Sequence, residues 1–188
     1  MPPTTPDRAS RQAGYGLIEL LLVLALTSIT LGFIIGGFRQ AQAIVQGDAS
    51  LRIVQWQFKM ARETAINQRR SVEVRFTPPN FMSVVRRNIP AGETLISTAV
   101  LEHNTQFLRF GTQPDTPDGF GAAVAINFGG ALNYMFTADG MFTDAAGNVL
   151  NGSVFIGQPG KEQTARALTV FGPTARVRGY RWNGSEWR

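Results

Sequence analysis

Cysteine is absent from the 188 residues, histidine occurs once, as His103, and lysine twice, as Lys59 and Lys161. Without cysteine there can be no disulfide framework, thiol nucleophile or thiolate metal site. A single histidine cannot build a Cys/His or multi-His zinc site within one chain. A Ser/His/Asp triad around His103 in "VLEHNTQ" would lack the G-x-S-x-G nucleophile elbow, and a lone histidine in a polar turn reads as a surface residue. The expectation is a protein that is not an enzyme, with no catalytic, cofactor-binding or metal-binding residue. Proline is missing between Pro6 and Pro78, so no residue of that kind interrupts a helix from Asp7 to Thr77.

What is present begins with an apolar run. Leu20 to Phe38 is 19 residues without a formal charge, long enough as a helix for roughly 28 Å, about the thickness of a bilayer core. A cleaved secretory signal is the alternative, with Arg8 and Arg11 as its basic region and "AQA" at 41–43 as its cleavage site. The run is longer than the usual apolar region of such a signal. It also carries Glu19 at its head, a charge that is expensive in a membrane span and is usually there for function. Past the run, Leu51, Val54, Phe58, Ala61 and Ala65 recur at three- and four-residue steps, with Arg52, Lys59, Arg62 and Glu63 on other faces. One helix is therefore expected from about Gly14 to Gln68, apolar all round in its first half and amphipathic in its second. Gly32, Gly36 and Gly37 lie in the apolar half, and each weakens a helix by about 1 kcal/mol relative to alanine in water.

From Ser71 onward the texture is short alternating stretches punctuated by Gly, Pro, Asn and Asp, and 14 of the 20 glycines fall here, which signals strands and turns. Strands are expected in "SVEVRFT", "FMSVVRR", "TLISTAVLE", "TQFLRFG", "AAVAINF", "LNYMFT", "SVFIGQ", "RALTVFG" and "ARVRGYRW". One or two antiparallel sheets covering the amphipathic stripe would make an α+β domain. Chain length allows one such domain beside the apolar segment.

The N-terminal block Gly14-Tyr15-Gly16-Leu17-Ile18-Glu19, running directly into the apolar segment, resembles type IV pilins and pseudopilins. "FKMARETAINQRRSVEVRF", "FTADGMF" and "LTVFGPTARVRGYRW" narrow the resemblance to the GspH/FimT group of minor pseudopilins and minor pilins. The resemblance implies a pilin-like fold and four segments. Residues 1–14 would be a cytoplasmic prepilin leader, 15–38 a transmembrane half-helix, 39–70 the amphipathic half, and 71–188 a periplasmic β-rich domain. It further implies a prepilin peptidase that cuts after Gly14 and methylates Tyr15, leaving Glu19 as an assembly residue able to neutralise the new amine of a neighbouring subunit. Gly36 and Gly37 stand where many pilins carry a proline and would serve as a helix weak point. Implied partners are the peptidase, other major and minor pseudopilins or pilins, and inner-membrane lipid. The implied role is a structural component of a type II secretion pseudopilus tip, with a minor type IV pilin as the alternative.

Three further features have chemistry to weigh. The formal charge is +5, and 16 of the 18 basic residues are arginine, a side chain suited to phosphate and carboxylate. In "ARVRGYRWNGSEWR", Arg176, Arg178 and Arg181 alternate with Tyr180 and Trp182, the mixture expected where phosphates meet arginines and bases stack on aromatics. On one strand, Arg176, Arg178, Tyr180 and Trp182 would share a face. This is the candidate DNA contact of the minor-pilin alternative, and the simpler reading is a solvated strand with its aromatics packed on the domain. Asp139, Asp144, Asn148 and Asn151 are an oxygen-rich stretch without EF-hand spacing, better explained by turns than by calcium. Asp115 and Asp118 are paired in "GTQPDTPDGFG", where Pro and Gly indicate an exposed loop.

Overall fold

The computed structural model describes residues 16–131 and 133–188, with only the backbone at 33–37 and 39. Its first element, α1 (Leu17–Gln68), is a 52-residue helix that is continuous through Gly36 and Gly37. Compact units divide the chain after Ala41. In the first unit the apolar side chains are uncovered, from Leu17 at 77% exposure to Leu31 at 56%. Hydroxyls there turn inward on the helix itself: Thr27 Oγ1 donates to Val23 O at 2.9 Å, Ser28 Oγ to Leu24 O at 2.7 Å and Thr30 Oγ1 to Leu26 O at 3.0 Å. Among the described residues no helix is long and apolar enough to cross a membrane. The stretch 20–38 expected to do so includes residues whose side chains lie outside the description.

The second unit, Gln42–Arg188, is an α+β domain with two antiparallel sheets. Ten strands follow the helix: β1 (Val72–Thr77), β2 (Phe81–Arg87), β3 (Glu93–Val100), β4 (Gln106–Phe107), β5 (Ile126–Asn127), β6 (Tyr134–Phe136), β7 (Phe142–Thr143), β8 (Gly152–Gln158), β9 (Lys161–Phe171) and β10 (Arg176–Arg181). One sheet runs β3-β2-β1-β6-β7, and the other β10-β9-β8-β4, with β5 also on β8.

The expected stripe is the helix face that these sheets bury: Val54, Phe58, Ala61 and Ala65 are fully buried and Leu51 nearly so. Phe58 sits at the centre, with the rings of Phe76, Phe128, Phe136 and Phe142 at 5.8–6.5 Å, the separations that aromatic pairs prefer. A second, smaller core of Phe155, Ala165, Ala167, Trp182 and Trp187 lies apart from the first. Contributing to both cores buries β8 along its whole length.

Several polar contacts fix the helix to β8 and β9. Arg166 on β9 is fully buried; its Nε donates to Asp48 Oδ1 at 2.6 Å, its Nη1 to Ala165 O at 2.8 Å and its Nη2 to Ile44 O at 3.0 Å. Gln158 Nε2 donates to Gln46 Oε1 at 2.9 Å. Gly47 lies between these contacts, and a Cβ there would meet Thr164 O at 2.8 Å, so only glycine lets the helix come this close. On the first sheet the buried Glu73 accepts from Arg75 Nε at 2.9 Å and Arg87 Nη2 at 2.8 Å. Burial pushes its carboxyl upward, but the hydrogen bonds and charges of the two arginines outweigh that and hold it below the usual carboxylate range.

Some strand expectations require correction. In 105–111 only Gln106–Phe107 pair, and in 122–128 only Ile126–Asn127, because both short segments lie along one edge of β8 and leave it again within two residues. β9 begins at Lys161 instead of at Arg166. Its polar start has no apolar alternation, and Thr164 Oγ1 holds it to β8 by accepting from Gln158 N at 2.9 Å. β7 was not expected; two buried residues are too few for a period-two signal.

Candidate interaction surfaces

Glu19 lies in the first turn of α1, where the amide ends of the helix favour a negative charge. Gly14 and Tyr15, the expected cleavage and methylation positions, lie outside the described residues, and at Gly36 and Gly37 only the backbone is described.

The C-terminal strand does carry its aromatics and arginines, and each meets a partner within the chain. Trp182 and Trp187 are both 6% exposed, their rings are 5.2 Å apart, and Trp187 Nε1 donates to Pro114 O at 3.0 Å. The tail folds back through paired backbone bonds between Arg181 and Arg188, of 2.7 and 2.9 Å. Arg178 Nη1 lies 3.0 Å from Asp118 Oδ1, Arg181 Nη1 lies 3.9 Å from Asp48 Oδ2, and Arg176 sits 5.8 Å from the centre of the Phe171 ring. As placed, the two indoles offer no open face for a base.

Asp118 is not the exposed loop carboxylate that its sequence context suggests. Its side chain is 11% exposed and accepts from Thr169 Oγ1, from Tyr180 Oη at 2.9 Å and from Arg178. Burial pushes its carboxyl up, and these donors together with the Arg178 charge bring it below its ordinary value. Burial and the neighbouring Asp118 raise the Tyr180 phenol against the opposing effect of Arg178. Asp115 instead closes its own loop, accepting from the amides of Thr116 and Gly121, both at 2.7 Å. Asp115 thus holds the loop's shape, and Asp118 fastens the loop to β9 and β10.

His103 is exposed in a turn, with φ of 57° and 59° at residues 103 and 104. Asp144 accepts from the amides of Ala146 and Asn148 and from Asn148 Nδ2, while Asn151 Oδ1 accepts from Gly172 N at 2.8 Å. Asp144 is thus engaged in its own turn and Asn151 in a contact 21 residues distant, and no group of three or more His, Cys, Asp or Glu able to hold a metal is found among the described residues.

Two concave surfaces flank the second half of the helix. One, of about 420 Å³, includes Arg52, Ile53, Trp56, Thr98 and Val100. Trp56 is 58% exposed, and the sequence reading passed over it because it stands outside the buried stripe. The other, of about 530 Å³, lies between Gln55, Lys59 and Arg62 of the helix and residues 174–177. Beside it the three quoted segments of the sequence are joined. Arg62 Nε donates to Gly140 O at 3.2 Å, and Phe142 N to Gly172 O at 2.9 Å, joining the helix, the "ADG" turn and the β9–β10 turn.

No protein-family model matches the chain. No curated protein matches it in sequence either. In three dimensions it is similar to the minor pseudopilin EpsH from the type 2 secretion system of Vibrio cholerae, at 13% sequence identity and a TM-score of 0.49, over 72% of this chain and 97% of that one.

Proposed function

We propose that the chain is a pilin-like structural subunit, made as a prepilin, anchored in the inner membrane by the first half of α1 and incorporated into a short periplasmic filament as a GspH-like minor pseudopilin. One observation carries this reading. The same helix is covered by its own sheets over residues 43–65 and bare over 17–31, where Leu, Ile and Val side chains are half exposed or more. Apolar surface on that scale calls for lipid or neighbouring helices, and the inward-turned hydroxyls of Thr27, Ser28 and Thr30 suit a surrounding without water. In that setting Glu19 is an assembly residue, since a carboxylate in low dielectric is stable only beside a positive partner such as the amine of a neighbouring mature N-terminus.

The test is the intact mass and N-terminal sequence of the protein recovered from membranes of cells that carry a prepilin peptidase. A chain beginning at N-methylated Tyr15 is the expected result. A chain beginning at Ile44 would mean that signal peptidase released the β-rich domain, and the filament reading would fall. Glu19→Ala and Glu19→Lys should insert in the membrane yet enter filaments poorly; normal incorporation of both would remove the role given to Glu19.

A minor type IV pilin that captures DNA is the second reading, favoured by the arginines of β10. The buried state of Trp182 and Trp187 supports the structural role instead. Salt-sensitive DNA binding that weakens on replacing Arg176 and Arg178 would reverse this preference.

A further inference from the structure

The sheet β3-β2-β1-β6-β7 carries three arginines whose surroundings differ. On one face Arg75 and Arg87 share the buried Glu73, and Arg75 also reaches Glu93, so two cations meet two carboxylates. Arg86 lies on the other face: it stands opposite Val72 in the register, and Val72 belongs to the main core with the helix stripe. Its Nε donates to Asn88 Oδ1 at 3.1 Å, its Nη1 to Gln68 Oε1 at 2.7 Å and its Nη2 to Thr94 Oγ1 at 3.2 Å. All three acceptors are neutral. The guanidinium is thus held by groups of the helix, β2 and β3 without its charge being met, and it is positioned before anything binds.

Arg70 converges on the same place. The helix ends in a left-handed cap: Arg69 has a φ of 49°, its amide donates to Ile66 O at 3.3 Å, and the Arg70 amide donates to Ala65 O at 3.1 Å. The Arg70 side chain bonds to the carbonyl of Arg69 at 3.3 Å, and neither Arg70 nor Arg86 enters an ion pair among the described residues. With Gln68, Asn88 and Ile89 these two arginines line a cavity of about 560 Å³, within the size range of small-molecule sites. None of the five lining residues is acidic, and none is buried, so a ligand can reach them all. Because Gln68 accepts through Oε1, its amide nitrogen is left to donate. The end of the helix opposes an anion with only about half a charge, against two full cations.

The geometry points to a phosphate-binding site in this cavity, with the guanidinium groups of Arg70 and Arg86 and the amide of Gln68 on the phosphate oxygens and the exposed Ile89 beside the group that carries the phosphate. Charge and oxygen count select the ligand. A carboxylate brings one charge and two oxygens, which a single guanidinium fork satisfies, whereas a phosphate monoester brings close to two charges and three acceptor oxygens for two such groups. The site goes beyond the subunit reading above and does not depend on it.

Inorganic phosphate is the probe, titrated into the full chain in neutral detergent at about pH 8, where a phosphate group is largely a dianion. Binding is followed through the backbone amide resonances of residues 69, 70 and 86–88. A saturable shift is expected, weakened about tenfold in Arg86→Gln, the worth of one charge-assisted hydrogen bond, and about fivefold in the more exposed Arg70→Gln. Arg70 lies outside every helix and strand, so its variant reports on the site even if Arg86→Gln disturbs the end of the helix. Arg176→Gln removes the same charge elsewhere and should leave the binding unchanged. Acetate and dimethyl phosphate, with one charge each, should bind about tenfold more weakly than phosphate. Micelles doped with a short-chain phosphatidic acid identify the carrier: tighter binding than phosphate supports a lipid headgroup, and binding no tighter supports a soluble phosphate. No saturable shift with either phosphate source, equal binding of acetate or dimethyl phosphate, or indifference to Arg70→Gln would overturn the proposal. The titration needs neither cleavage nor a filament, so its failure leaves the subunit reading to be decided by the N-terminal mass.

Discussion

Residues 17–31 and 43–65 lie on one helix and are both rich in apolar side chains, yet the chain covers only the second stretch. Leu24 is 62% exposed where Val54 and Phe58 are fully buried. The difference is one of pattern. The second stretch concentrates its apolar residues on one face and places Arg52, Lys59 and Glu63 on the other, which suits a sheet on one side and water on the other. The first has no polar face, so one sheet could not satisfy it. A helix can thus be addressed to two surroundings by the distribution of its side chains, with no change of backbone.

Breaking the contact that joins the second stretch to the sheets should have the largest effect. Arg166→Ala removes a fully buried side chain together with its hydrogen bonds to Asp48, Ala165 O and Ile44 O, with an expected loss of about 3–5 kcal/mol in denaturant unfolding. Phe58→Ala should cost about 3–5 kcal/mol by opening the aromatic centre, while Leu24→Ala leaves the unfolding of the β-rich domain unchanged. Equal effects of these two substitutions would erase the distinction between the stretches. Gly47→Ala should cost about 1–3 kcal/mol, as its Cβ pushes the helix off the Thr164 carbonyl.

Acid sharpens the comparison more gently, because the titrating carboxylates with donors are in the second unit. Glu73 and Asp118 have folded-state pKa values below their ordinary 4.5 and 3.8, so the unfolded chain binds protons more readily. Their contribution to stability is complete above those ordinary values and is lost as pH falls through the lower folded-state values. Glu73→Gln should flatten this acid slope in thermal melts. The smallest effect is expected of Lys59→Ala, under about 0.5 kcal/mol, since its pairing with Glu63 is exposed and long.

Periodicity made the helix and its buried stripe legible, because burial on one face imposes a three-to-four residue repeat. The strands in 72–77 and 81–87 were legible for the corresponding period of two. What escaped was set by contacts distant in sequence. Nothing local to Arg166 marks it as buried, since the groups that receive it, Asp48 and the Ile44 carbonyl, lie more than 110 residues away. Asp118 was misjudged for the same reason: its turn sequence says loop, whereas Thr169, Arg178 and Tyr180 decide its burial. The groove beside the helix escaped in the same way, since only the fold brings residues 55–62 and 174–177 to one cavity.

The tie between Arg166 and Asp48 also sets an order of events during synthesis. A ribosome makes the helix first, the β3-β2-β1-β6-β7 sheet next and β8 to β10 last, so the tie at Asp48 stays open until β9 has emerged. Long-range pairing of this kind is slow to form, and the chain spends that interval with part of an apolar helix face open to its surroundings. A premature stop before residue 152 would make that interval permanent, leaving the helix with only the first of its two sheets and a surface prone to unspecific association.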